Sequence, residues 1–324
     1  MELNNNDLRC ASSSLYEFYS ENKSTLENAL STYKLSKSES SDRDIQLLQR
    51  ATIEKIAKEI NARAENYNGV TLLIHGYRNS PEWAQQGYDK VKSFVENKYN
   101  SKQLYVELYW DGLVYTKYNV IKAWDNAQAH SYLVGLELRK LLTKLEIKSL
   151  NVIAHSTGAN VISTALINQT SKLDTSYWDE YSPKLKSEHY KTPDINSIKV
   201  ALFAAAMPGE STFVDYDERN TTYDFLSKDN YHFYISLNTN DPALNKYGLD
   251  SIIRGATTLG RDKAEQDKVS ALFDGNGPLH TLNSPIFFDF SWNEDDSAQD
   301  NHRINGYLEH SSARDMLDEL FLKK

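Results

Sequence analysis

The sequence is poor in the residues on which several common architectures depend. One cysteine, Cys10, occurs in 324 residues. That excludes an internal disulfide framework and any zinc site built from several cysteines, and it points to a reducing compartment. Basic residues are not in surplus, with 36 Lys and Arg against 45 Asp and Glu for a net charge of −9. Non-specific nucleic-acid binding rests on clustered Lys and Arg, so no nucleic-acid partner is expected. No segment reaches the roughly 18–20 consecutive apolar residues that span a bilayer. The opening Met1-Glu2-Leu3-Asn4-Asn5-Asn6-Asp7 has neither the basic start nor the apolar stretch of a signal peptide. The expectation is a cytoplasmic chain with no transmembrane segment.

Motifs for several chemistries are also missing. There is no His-Glu-x-x-His pair for a zinc protease. The stretch Gly255 to Asp262 lacks the Lys and Ser/Thr that phosphates and magnesium require in a P-loop, and Gly275-Asn276-Gly277 is too short for a dinucleotide fingerprint. The acidic run Glu294 to Asp300 lacks EF-hand ligand spacing and reads as a solvated loop. Neither a metal nor an organic cofactor is expected, and the oligomeric state is not legible.

What is present is ordinary for a globular protein: 40% hydrophobic and 25% charged residues, enough of both to exclude wholesale disorder. From Asp42 to Ala64 apolar side chains recur at Ile45, Leu48, Ile53, Ile56 and Ile60, a helical stripe. Residues 1–68 are therefore read as a helical N-terminal extension and 69–324 as the main domain. In the latter, short apolar runs suited to strands buried on both faces begin with Val70 to Ile74 and Leu104 to Tyr109. Leu150 to Ile153, Ile198 to Phe203, His232 to Leu237 and Pro285 to Phe290 continue the series. Helical stretches at about 81–98 and 119–145, and a C-terminal one at about 311–322, alternate with them. The pattern predicts an α/β fold with a doubly wound, mostly parallel sheet of about six strands flanked by helices. Two longer connections, 170–196 and 245–284, are candidate lids.

Ligands of such sheets bind at the carboxyl ends of the strands, so the residues following each strand matter most. After the third run stands Ala154-His155-Ser156-Thr157-Gly158, a small-x-Ser-x-Gly turn feeding the apolar helix Asn160 to Ile167. A nucleophilic serine on a tight strand-to-helix turn needs small residues two before and two after it. After the first run stands His75-Gly76-Tyr77-Arg78-Asn79. An oxyanion hole takes one backbone N–H from the residue after the nucleophile and one from a loop after an upstream strand. Those positions are Thr157 and Tyr77.

A serine hydroxyl needs a base and an acid that orients the base. Asp241, in Asn238-Thr239-Asn240-Asp241-Pro242 after the fifth run, is preferred as the acid over Asp215 and Asp217. Position removes most of the eight histidines as candidates for the base and leaves His302 and His310. His310, directly before the C-terminal helix, is preferred.

Taken together, these features resemble the α/β-hydrolase superfamily and, more narrowly, the bacterial esterase-like branch grouped as DUF900 hydrolases. The resemblance is carried by the His75 to Asn79 turn, Tyr109-Trp110-Asp111, the long helix beginning near Ala123, Asn151 to Asn160 and the His310-Ser311 ending, and spans about residues 69–322. Departures are Thr157 where that branch tends to have methionine, Ala154 for glycine, and helices where many relatives begin with two antiparallel strands. The resemblance implies a serine hydrolase acting on a small-molecule carboxylic ester through Ser156, Asp241 and His310. An acyltransferase or thioesterase on the same three residues, or a non-catalytic binding module on the same scaffold, are the alternatives.

Overall fold

Six parallel strands form one sheet: β1 (Gly69–Ile74), β2 (Gln103–Leu108), β3 (Ser149–His155), β4 (Ser197–Phe203), β5 (Tyr231–Leu237) and β6 (Ile286–Asp289), in the spatial order β2-β1-β3-β4-β5-β6. The computed structural model describes residues 23–37, 41–110, 120–167, 193–213, 230–246, 259–291 and 302–323. Between the strands lie α1 (Lys23–Thr32), α2 (Ser41–Ala64), α3 (Pro81–Tyr99), α4 (Val120–Leu142), α5 (Gly158–Ile167), α6 (Pro242–Lys246), α7 (Lys263–Phe273), α8 (Ile304–Glu309) and α9 (Ser311–Phe321). Every apolar run named above is a strand, because a parallel sheet covered on both faces leaves its central strands no polar side.

The pleat sends alternate residues into two cores. Leu72, Ile74, Val152, Val200 and Leu202 face a core shared with α2, α4, α5 and α7, whereas Leu73, Ile153, Ala201 and Phe203 face one shared with α3, α8 and α9. The sheet is thus helix-covered on both sides. The chain begins at β1, moves outward to β2, then crosses back to β3 on the other side. The strand order reverses between β1 and β3, and such a reversal opens a crevice at the strand ends.

Two expectations need adjustment. The helical preface read over 1–68 is not separate from the core: Ile56, Ala57 and Ile60 of α2 are buried with Val70, Leu72 and Leu138. Only its earlier part stands apart, where Leu30, Ile45 and Leu48 form their own small cluster. Of the candidate lid 245–284, residues 247–258 lie outside the described residues, and the part 259–284 buries Leu259, Val269, Phe273 and Leu279 in the main core. Of the other candidate, residues 170–192 lie outside the described residues.

Helix α5 is buried over its whole length, which demands partners for its terminal carbonyls. Arg139 of α4, itself buried, supplies them: its Nε donates to the Ala165 carbonyl at 2.6 Å and its Nη2 to the Thr164 carbonyl at 2.8 Å. Close approach of α4 to α5 is permitted by Gly135, where an added Cβ would lie 2.6 Å from both Thr164 Cβ and the Val161 carbonyl oxygen. Helix propensity alone favours Gly→Ala in a helix interior by about 1 kcal/mol, while overpacking costs about 1–3 kcal/mol. Gly135→Ala is therefore expected to lower stability, by on the order of 1–2 kcal/mol in urea unfolding. A rise in the urea midpoint would contradict this account of the α4–α5 contact.

Candidate active site

The turn after β3 is built around Ser156. Its φ of 54° lies in the left-handed region, a conformation that costs of order 1–3 kcal/mol in a non-glycine residue and persists only where the surroundings enforce it. They do so here. The Ser156 amide donates to the Phe203 carbonyl at 2.9 Å, and the Ser156 carbonyl accepts from Ala159 at 3.0 Å and Ala206 at 3.3 Å. Both neighbouring glycines are required by close approach. A Cβ on Gly158 would lie 2.8 Å from the carbonyl oxygens of Ile74 and His75, and one on Gly76 would lie 2.6 Å from Ser156 Cβ. The turn after β1 therefore passes directly over the serine.

That first turn is fixed by His75. Its Nδ1–H donates to the Gly76 carbonyl at 2.9 Å while its Nε2 accepts the Trp110 amide at 3.1 Å, which requires the neutral Nδ1–H tautomer. Trp110 Nε1 donates to the His75 carbonyl at 2.8 Å, and the rings stack with centroids 5.5 Å apart. Asn79 Nδ2 adds a second donor to the Gly76 carbonyl at 3.0 Å. In a trans peptide the C=O and the following N–H point in opposite directions. Holding the Gly76 carbonyl toward His75 and Asn79 thus sets the direction of the Tyr77 N–H.

Ser156 Oγ lies 3.1 Å from Nε2 of His302, whose Nδ1 lies 2.8 and 3.0 Å from the two carboxylate oxygens of Asp241. The histidine brought to the serine is His302, not His310, and the expectation for the base is corrected accordingly. His310 sits where the chain turns into α9 and is used there: its Nδ1 accepts the Ser312 amide at 3.1 Å as the helix N-cap, and its ring packs 5.0 Å from Phe290. The short helix α8, interposed between the two histidines, carries His302 to the strand ends and leaves His310 behind.

Asp241 is where the sequence placed it, fully buried at the end of β5. It also begins α6, with Oδ1 accepting the Ala243 and Leu244 amides at 2.9 and 3.0 Å and proline at the first helical position. Oδ2 accepts the Tyr307 hydroxyl at 2.9 Å. Burial works to raise the carboxyl pKa, but the bonds from His302, Leu244 and Tyr307 outweigh it and hold the group below the usual carboxylate range. Tyr307 is raised well above the usual phenol value, first by burial and then by the Asp241 charge, so it remains a donor. The side chain of His302 is 25% exposed against 0% for Asp241: the imidazole reaches the surface and the carboxylate is sealed behind it.

Thr157 is buried immediately after the serine. Tyr77 is half-buried against Ala206 and Leu244. Asp215 and Asp217 lie outside the described residues. No group of three or more His, Cys, Asp or Glu suited to a metal ion occurs among the described residues, and no described helix is long and apolar enough to cross a membrane.

The chain matches no protein-family model, no curated protein and no solved structure.

Two residues around His302 were not found by sequence reasoning. Tyr307, five positions beyond His302, carries no motif. His155 adjoins the serine in sequence, and its Nε2–H donates to the His302 carbonyl at 2.6 Å. Burial, and next the proximity of His302, push its pKa down to about 3, so it stays neutral. Between the unfolded value near 6.5 and about 3, the unfolded chain binds a proton that the folded chain does not. Stability owed to neutral His155 is thus complete above about pH 6.5 and is lost as pH falls toward 3. His155→Gln, which keeps a side-chain N–H donor, is expected to lose less stability than wild type on acidification across that window, measured by urea unfolding. Equal acid loss in both proteins would refute a buried neutral His155.

The Asp241 carboxyl has the opposite character. Its depressed pKa gives stability that is present above the unfolded value of about 3.9 and is lost as pH falls through the lower folded value. The stability gap between wild type and Asp241→Asn should therefore narrow below about pH 4. A gap that stays constant from pH 7 to pH 3 would show that the carboxylate charge contributes nothing.

Proposed function

We propose that this chain is a serine hydrolase of the α/β-hydrolase type that cleaves carboxylic esters through an acyl-enzyme. The observation that carries the reading is the hydrogen-bonded series from Ser156 Oγ through His302 to buried Asp241, built on a serine with a φ of 54°. Nucleophile, base and orienting acid each stand at the carboxyl end of a parallel strand or in the loop beyond the last one, as such chemistry requires. The preference for a small-molecule ester rests on the family resemblance carried by the Ser156 and His75 turns.

In this reading His302 Nε2 takes the Ser156 proton as Oγ attacks the acyl carbonyl carbon. Asp241 holds the ring in the Nδ1–H tautomer and stabilises the imidazolium that forms. The tetrahedral oxyanion is received by the backbone N–H groups of Thr157 and Tyr77, each donor of this kind contributing roughly 3–4 kcal/mol to the transition state. His302 then returns the proton to the departing alkoxide oxygen. Water then attacks the acyl carbon as the same nitrogen takes its proton, the acyl–Oγ bond breaks, and Ser156 Oγ recovers that proton from His302 as the acid product leaves. The rigid His75, Trp110 and Asn79 network supports the hole by fixing the Gly76–Tyr77 peptide before substrate arrives.

Fluorophosphonate labelling tests the nucleophile and comparative turnover of an activated ester tests the base. Wild type is expected to label and Ser156→Ala to be silent. His302→Ala should lose ~10⁴–10⁶-fold in kcat, the scale of triad knockouts. His310→Ala should keep turnover within a few-fold and lose about 1 kcal/mol of stability as a removed N-cap. Unlabelled, folded wild type would defeat the hydrolase reading, and a silent His310→Ala beside an active His302→Ala would defeat the assignment of the base.

A further inference from the structure

Tyr307 is fully buried in α8. Its ring lies against Phe203 and Phe290, with centroids 6.0 and 5.4 Å away, and edge-on to His155 at 6.5 Å. Packing on several sides fixes the hydroxyl 2.9 Å from Asp241 Oδ2. That oxygen is also the one nearer the imidazole, since His302 Nδ1 lies 2.8 Å from Oδ2 and 3.0 Å from Oδ1. Phenol and base therefore draw on the same carboxylate oxygen.

Asn238 sets the direction of the phenolic proton. Its Oδ1 accepts the Asn240 amide at 3.1 Å, and its side-chain amide donates to the Tyr307 oxygen. A phenol oxygen that accepts there keeps its own proton for Asp241, and accepting strengthens what it donates. With the Ala243 and Leu244 amides on Oδ1, four donors meet the carboxylate, which has about four acceptor positions. Its acceptor capacity is filled.

Two donors on one anionic oxygen compete. Charge taken up by the phenolic hydrogen is withheld from the imidazolium that forms on His302, so the hydroxyl weakens the hold of Asp241 on the protonated ring. We propose that Tyr307 is a positioning residue of the reaction: its hydroxyl shares Asp241 Oδ2 with His302 and keeps the imidazole neutral, able to take the Ser156 proton, at lower pH than Asp241 would otherwise allow. This role rests on the hydrolase reading, whereas the effect on the imidazole can be measured with no turnover. Among the described residues, the other titratable group facing the pair is His155 of β3, which is held neutral with its ring 5.1 Å from that of His302. His75 of the first turn lies beyond His155, His310 lies behind Phe290, and Arg303 adjoins His302 in the chain. All of these stay the same in every variant compared.

The test alters the hydroxyl and leaves the ring in place. Tyr307→Phe removes the donor, and 3-fluorotyrosine at position 307, installed by codon suppression, makes a more acidic phenol and a stronger donor. Two midpoints are measured on the full-length protein. One is the acid limb of kcat/KM for an activated ester, which reports the base of the free enzyme. The other is the pH titration of the His302 Cε1–H signal by NMR, identified by its loss in His302→Gln. Both midpoints should rise by ~0.5 pH unit or more in Tyr307→Phe and fall with 3-fluorotyrosine. A folded Tyr307→Phe whose midpoints match wild type overturns the proposal. So do midpoints that move in the same direction in both proteins, since disturbed packing has no reason to reverse sign with donor strength. If Tyr307→Phe fails to fold by circular dichroism, the fluorinated protein decides: a fall supports the proposal and no change overturns it. Wild type that neither turns over ester nor labels with fluorophosphonate defeats the hydrolase reading, while opposite NMR shifts in the two proteins still support control of His302 by Tyr307. Unshifted NMR midpoints in an active enzyme overturn the proposal and leave the hydrolase reading standing.

Discussion

A single buried carboxylate organises the loops at the carboxyl end of this sheet. Asp241 has no exposed surface, and an isolated charge in such a place is strongly unfavourable. It is tolerated because its two oxygens receive two backbone amides, a phenol and an imidazole, from α6, α8 and the loop that carries His302. The partners come from separate parts of the chain, so the demand of one charge for hydrogen bonds draws those parts together. Removing any one partner leaves the others facing a less compensated charge, which makes the cluster a unit and not a sum of contacts. The position of His302, and through it the environment of Ser156, follows from this.

A second network performs the same service on the opposite side of the serine with neutral groups. His75 accepts and donates at once, and Trp110 closes the circuit between the ends of β1 and β2. Because the strained Ser156 backbone is pinned to Phe203 of β4 and to Ala206 beyond it, the two networks meet on a turn that cannot relax toward either. Preorganisation of this kind is a property of the crossing point between β1 and β3, where the strand order reverses and loops from both directions converge.

The layered architecture was legible because burial on both faces leaves unmistakable apolar runs in the four central strands, while the edge strands β2 and β6 carry apolar runs although most of β2 is half-buried and β6 is half-buried or exposed. Ser156, its flanking small residues and Asp241 were legible because tight turns and strand ends restrict residue type. What misled was the assumption that the base stands directly before the last helix. His310 is there, but as a cap, a role open to any side chain with a suitable acceptor at that point. The helix Ile304–Glu309 that displaces His302 is too short for periodicity to resolve. Tyr307 and His155 act through single hydrogen bonds to distant groups, and a pair set by tertiary contact alone has no imprint on local pattern. The reach of α2 into the main core was missed for a related reason: its stripe showed a buried face but not what buries it.

The separation in sequence of the groups that meet here has a consequence for how the molecule comes into being. Ser156 and His302 are 146 residues apart, and Asp241 and Tyr307 are 66 apart. Parallel sheets close such distances only after the intervening crossovers have formed, and a chain emerging from the ribosome supplies its N-terminal elements first. The sheet from β2 to β5 can therefore be in place while Asp241 still lacks its imidazole and its phenol. Until the final segment docks, that end of the sheet carries a carboxylate without its complement and a serine without its neighbour. The segment from His302 onward, made after all six strands, thus acts as the closing piece of the cluster around Asp241.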